Sequence, residues 1–100
     1  MKKDAEETKV IFKMARYPGG EREVIAFFPG APANPGNILC YVHVGQHGEA
    51  CEDFYQKNCR PCTRKEYLPL KHELEDNYGY RLKIVKRITR KDREEAWRRK

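Results

Sequence analysis

No apolar run in this chain of 100 residues is longer than about five, so no segment reaches the roughly 20 residues a membrane-crossing helix needs. No apolar core follows the charged start Met1-Lys2-Lys3-Asp4-Ala5-Glu6-Glu7, and without one there is no secretory signal. The expectation is a cytosolic protein with no membrane partner. Phosphate-loop order is also missing. The stretch from Pro29-Gly30 to Pro35-Gly36 has no G-x-x-x-x-G-K-[ST], and its prolines remove amides that a phosphate would need. No nucleophile–base pair or oxyanion-hole motif can be picked out, and the chain is read as a non-enzyme. No internal repeat is found.

Apolar residues are scarce, at 39%, and charged residues plentiful, at 36%. The apolar residues are nonetheless gathered into runs such as Val10-Ile11-Phe12 and Val24-Ile25-Ala26-Phe27-Phe28. A disordered chain lacks such runs, so one folded domain of near-average size is expected. Its charge is uneven. Residues 81–100 hold ten Lys/Arg against three acidic residues, a net +7; residues 1–80 hold eleven against twelve, a net −1, giving +6 overall.

Thr8 to Met14 alternates, with Val10, Phe12 and Met14 on one side of a strand. The Tyr17-Pro18-Gly19-Gly20 turn and a second strand, Glu23 to Phe28, complete a hairpin. A Pro/Gly-rich surface loop follows, then a third strand from Ile38 to Val44, with Ile38, Cys40, Val42 and Val44 on one face and Leu39, Tyr41 and His43 on the other. Residues 49–57 are expected to hold a short helical turn. A helix over 63–78 carries a capping box at Thr63 and Glu66, the stripe Tyr67, Leu70, Leu74, Tyr78, and a stop at Gly79. Pro69 implies either a kink or a separate first turn, with the main helix starting near Leu68. A last strand, 81–88, and a helix capped by Thr89 close the chain, the final helix docking weakly because Trp97 is its one large apolar residue.

The expected architecture is α+β, a small, mainly antiparallel sheet of about four strands in β-β-β-α-β order. One amphipathic helix covers one face. The divisions are a charged N-terminal tail (1–7), a single α+β domain (8–88) and a basic C-terminal helix or tail (89–100).

Four segments carry a resemblance: Val10-Ile11-Phe12, Val24 to Pro29, Cys40-Tyr41-Val42-His43-Val44-Gly45-Gln46-His47, and Glu66 to Leu74. Over residues 8–88 the chain resembles a family of small uncharacterised proteins of bacteria, phages and mobile elements, of which His43-Val44-Gly45-Gln46-His47 is the most specific element. That family has no assigned activity, so the resemblance implies only a bacterial or phage accessory protein and assigns no site residues.

Three sets of residues are candidates for chemistry. Cys59-x-x-Cys62 with His47 and Cys51 supplies four ligands for a zinc ion; with Pro61 ahead of Cys62 and a helix beyond, the same pair also has the look of a redox motif. The plainer reading is ordinary thiols, with Cys40 buried. Tyr41, His43, Gln46 and His47 form a candidate polar pocket, with Glu52 or Asp53 near enough in sequence to orient a histidine. The plainer reading has the histidines bonded to backbone carbonyls.

The third set is the basic end: Arg81, Lys83, Lys86, Arg87, Arg90, Lys91, Arg93, Arg98, Arg99 and Lys100, with Trp97 or Tyr80 to stack on a base. Its plainer reading is a solvated terminus in which Glu94 and Glu95 pair with Arg98 and Arg99. The expected function is a non-enzymatic accessory or regulatory protein that binds nucleic acid electrostatically through that end. The alternative is a protein-binding inhibitor or adaptor that uses the sheet face or a free strand edge, and a zinc-stabilised or redox domain ranks third.

Overall fold

β-Branched and aromatic residues dominate the first two strands, β1 (Thr8–Arg16) and β2 (Arg22–Phe28), which pair antiparallel from Ile11↔Phe27 to Arg16↔Arg22. The computed structural model describes residues 7–42 and 46–99, the side chains of Gln46 and Arg99 excepted. The hairpin turn expected at Tyr17-Pro18-Gly19-Gly20 is present, closed by the Tyr17 amide on the Glu21 carbonyl at 2.8 Å.

Among the described residues there are six strands and three helices, not about four strands and two helices. The sheet runs β4-β3-β2-β1-β5, with a sixth strand on β1. β3 (Asn37–Val42) pairs with β2, and β4 (Gln46–Cys51) pairs antiparallel with β3 as an edge strand. The helical turn expected from residue 49 therefore begins only at Glu52, as α1 (Glu52–Lys57). β4 lacks apolar alternation and is held by its backbone ladder to β3. Cys59–Pro61 forms β5, antiparallel to β1; Pro61 is tolerated because the strand is short and marginal.

α2 (Arg64–Tyr78) starts at the expected capping box, where the Thr63 hydroxyl and the Glu66 carboxylate each bond the other's amide. It runs unbroken through Pro69, so the main helix does not begin near Leu68. The proline removes one amide opposite the Lys65 carbonyl; both residues are exposed, and water can satisfy that carbonyl. Gly79, at φ 70°, ends the helix in the left-handed conformation.

The expected strand over 81–88 contracts to β6 (Leu82–Ile84), parallel to the first three residues of β1. The Thr8 amide bonds the Arg81 carbonyl, the Val85 amide bonds the Val10 carbonyl, and the Arg16 amide bonds the Asn58 carbonyl. Even-numbered residues of β1 thus point their backbone groups one way, so β6 and β5 share its outer edge.

Both faces of the sheet are buried, not one. Phe12, Phe28 and Tyr41 pack against Leu70 and Leu74 of α2, as the stripe predicts. Ile11, Ile25, Phe27, Ile38 and Cys40 pack on the other side against Tyr55 of α1 and Ile88. α3 (Arg90–Arg99) is held on this side of the sheet by a small set of contacts. Its Ala96 and Asp92 are buried, Lys9 Nζ donates to Asp92 at 3.0 Å, and the Ala33 amide bonds the Ala96 carbonyl at 3.2 Å. Polar contacts with the sheet and loop anchor this helix, a route its scarce apolar content did not suggest.

Candidate nucleic-acid interface

α3 divides the basic residues of the C-terminal end instead of gathering them. Arg81, Lys83, Lys86 and Arg87 are exposed just before, on and after β6, and Arg90 and Lys91 are exposed in the first turn of α3. Arg90 lies 3.4 Å from Glu94 one turn on. Arg93 and Trp97 are engaged in docking. The Arg93 guanidinium chelates Glu52 of α1, its Nε donating at 2.7 Å, and Trp97 Nε1 donates to the Asn37 carbonyl at 3.1 Å. Tyr80, the other stacking candidate, is half-buried against Phe28 with ring centroids 5.5 Å apart. Arg98 is exposed about 12 Å farther along the helix than Arg90, at 1.5 Å rise per residue. Lys100 and the Arg99 side chain lie outside the described residues.

A more coherent basic surface lies along the outer edge of β1. β6 covers residues 8–10 and β5 covers 13–15, leaving a gap at Ile11 and Phe12. A groove of about 500 Å³ opens there, bordered by Lys13, Arg64, Lys86, Tyr67 and Ile84. Among the described residues no acidic side chain lines it. Tyr67 is stacked on Phe12 at 4.6 Å, nearly parallel, and Ile84 is 41% exposed. Lys13 is partly committed, its ammonium lying 5.1 Å from the Tyr55 ring centre.

At the turn end of the same edge, a cavity of about 300 Å³ is lined by Arg16, Arg22, Lys57, Asn58 and Arg60, again with no carboxylate among the described residues. Arg16 and Arg22 are direct cross-strand partners, a placement in which like charges repel. The other two cations are partly countered. Arg60 makes two hydrogen bonds to Glu66, at 3.1 and 2.9 Å, and Lys57 lies 3.2 Å from Asp53. Glu66 is pulled down to about 2, first by the Arg60 hydrogen bond and then by the Thr63 amide, so it stays ionised at neutral pH. α1 ends beside the cavity, but a six-residue helix with an Asn58 amide already on the Phe54 carbonyl presents little negative dipole. From Lys86 to Arg16 the strip follows β1 for about 20 Å, six residues at 3.3 Å.

Sequence reading did not single out Lys13, Arg16, Arg22, Lys57, Arg60 and Arg64, since the first eighty residues sum to a net −1. The signal was there: two arginines flanking a hairpin turn end up face to face.

The remaining candidate sets fare differently. His47 and Cys51 are on β4 at one edge of the sheet and Cys59 is on β5 at the other, with the whole of α1 between Cys51 and Cys59. Cys59 packs with one core cluster and Cys62 with the opposite one. The zinc quartet His47, Cys51, Cys59, Cys62 is therefore not assembled, and among the described residues no group of three or more His, Cys, Asp or Glu is placed to hold a metal. Burial, the largest influence on each, pushes the thiols of Cys59 and Cys62 up to about 11, opposite to the lowered value a redox motif requires. Cys40 is buried, as the plainer reading has it.

In the polar pocket, Tyr41 and His47 are cross-strand partners with rings 4.7 Å apart. Tyr78 packs on both at 5.4 Å, and the Tyr41 hydroxyl donates to Glu73. Among the described residues, Tyr41, His47 and Tyr78 form a packed ring cluster. Glu52 and Asp53, the suggested histidine partners, bond Arg93 and Lys57 instead. His43 and the Gln46 side chain lie outside the described residues.

Compared with protein-family models, with curated proteins and with solved structures, the chain finds no match. Among the described residues no helix is long and apolar enough to cross a membrane.

Proposed function

We propose that this chain is a non-enzymatic accessory protein that binds single-stranded nucleic acid electrostatically, along the outer edge of β1 and not through α3. The observation that carries the reading is the carboxylate-free groove in which Lys13, Arg64 and Lys86 surround Tyr67 and Ile84. Cations set along a track neutralise successive phosphates, while an aromatic and an apolar side chain between them offer surface to unstacked bases. Lys83 and Arg87, exposed next to the groove, extend it.

Protein binding is the competing reading, and its surface is now smaller. Helices cover both sheet faces, so an adaptor or inhibitor would have to use the free edge of β4.

Fluorescence anisotropy with labelled single- and double-stranded oligonucleotides separates the two. Binding of the single strand at low salt, weakening steeply toward physiological salt, is the expected result. Absence of binding to every oligonucleotide at low salt would sink the nucleic-acid reading and leave the β4 edge.

A further inference from the structure

The cavity at the turn end of the β1–β2 hairpin is arranged more specifically than a track for strand backbone. Arg16 and Arg22 face each other across the ladder, and among the described residues neither guanidinium has a hydrogen-bond or ion-pair partner. The nearby carboxylates are occupied: Glu23 accepts the Tyr17 hydroxyl at 2.8 Å, Glu66 holds Arg60, and Asp53 holds Lys57. Glu21, in the turn, does not line the cavity. A hairpin with no use for two opposed arginines would be more stable with almost any other pair. Keeping them at the mouth of a carboxylate-free hollow makes sense if a compact anion of two negative charges comes between them.

We infer that this cavity, with Arg16 and Arg22 as its principal donors and Arg60, Lys57 and the Asn58 side chain around them, binds a phosphomonoester dianion. Planar guanidinium forks match phosphate oxygens two at a time. A cavity of about 300 Å³ is at the small end of ligand sites, enough for a phosphate and part of what bears it. A phosphodiester in mid-strand has one charge and two ester links, so it fills the hollow less well than a terminal phosphate. The inference rests on the nucleic-acid reading for its source, the phosphorylated end of a bound strand, because the cavity closes one end of the basic strip. Free phosphate shares the chemistry and serves as the second probe.

Two measurements on the full chain test it. Inorganic phosphate is titrated at constant ionic strength against chloride while the backbone amides of Arg16, Arg22 and Asn58 are followed by NMR. An oligonucleotide with a 5′-phosphate, one with a 3′-phosphate and their hydroxyl-ended twin are then compared by anisotropy. Saturable shifts at those amides, with one phosphorylated end binding about tenfold tighter than the hydroxyl end, are expected. Arg16→Gln and Arg22→Gln should abolish both effects. Each variant should also unfold at a higher urea concentration than the parent, which shows that the loss is not a loss of fold. Equal binding of all three oligonucleotides, with no saturable phosphate shift, overturns the inference and leaves the nucleic-acid reading intact. Saturable phosphate binding with no oligonucleotide binding upholds the cavity and removes its proposed source.

Discussion

Trp97 donates its indole N–H to the backbone carbonyl of Asn37, 60 residues earlier, at 3.1 Å. That bond ties the last helix to the start of β3 and to the Pro/Gly-rich loop. Asn34 of the loop and Asn37 at the start of β3 both donate to Glu49, at 3.1 and 3.0 Å. Trp97 thus has a structural role through its indole N–H. Trp97→Phe keeps an aromatic ring and loses the hydrogen bond, which should cost about 1 kcal/mol in urea unfolding followed by circular dichroism. Oligonucleotide affinity should be unchanged. A Trp97→Phe chain of parental stability that had lost binding would reverse this assignment.

Asp92 makes the second anchor testable by pH. Burial raises its pKa, but the Thr89 amide, the Lys9 ammonium and the Thr89 hydroxyl outweigh that and hold it below the usual aspartate value. Because the folded-state value is the lower one, the stabilisation is complete above the unfolded value of about 3.9 and is lost as pH falls through the depressed folded value. Asp92→Ala should cost about 1–2 kcal/mol at pH 7, with the gap to the parent closing in acid below pH 4. A constant gap down to the acid-unfolding limit would show that the carboxylate charge contributes nothing.

Cys59 and Cys62 should behave as quiet thiols. With both pushed up to about 11, alkylation of either at pH 7.5 should be slow and should still be accelerating above pH 10. Exposed Cys51 should react first, and each site can be read by mass spectrometry after digestion. Fast modification of Cys59 or Cys62 at neutral pH would restore the redox reading.

Much of the framework was legible in the sequence because the signals were local. The alternation of Val10 and Phe12, the Pro18-Gly19-Gly20 turn, the Thr63–Glu66 capping box, the Leu70/Leu74 stripe and the Gly79 stop all lie where periodicity and cap chemistry put them. What escaped was what non-local pairing decides. β4 is Gln46-His47-Gly48-Glu49-Ala50-Cys51, polar and Gly-containing, and it is a strand only because β3 supplies the partner. β5 is three residues around a proline, and β6 is parallel where a hairpin-rich chain suggests antiparallel. The helix-docking contacts of Asp92, Arg93 and Trp97 join residues 41 to 83 positions apart, and no window of sequence displays them.

The charge map changes on folding for a related reason. Counting charge along the chain singles out residues 81–100, but folding sends Arg93 to Glu52 and brings Arg16, Arg22, Lys57, Arg60 and Arg64 from neutral sequence to the edge where Lys86 stands.

The most direct measurement compares two double charge reversals for single-stranded oligonucleotide binding across a salt series. One is Arg64→Glu with Lys86→Glu in the groove; the other is Arg90→Glu with Lys91→Glu on α3. The groove pair should weaken binding at least tenfold and reduce the slope of log K against log salt by about 1.4, two contacts at roughly 0.7 each. The α3 pair should change both only slightly. Loss of affinity and slope in the α3 pair, with the groove pair binding like the parent, would contradict the outer-edge interface and return the site to the C-terminal helix.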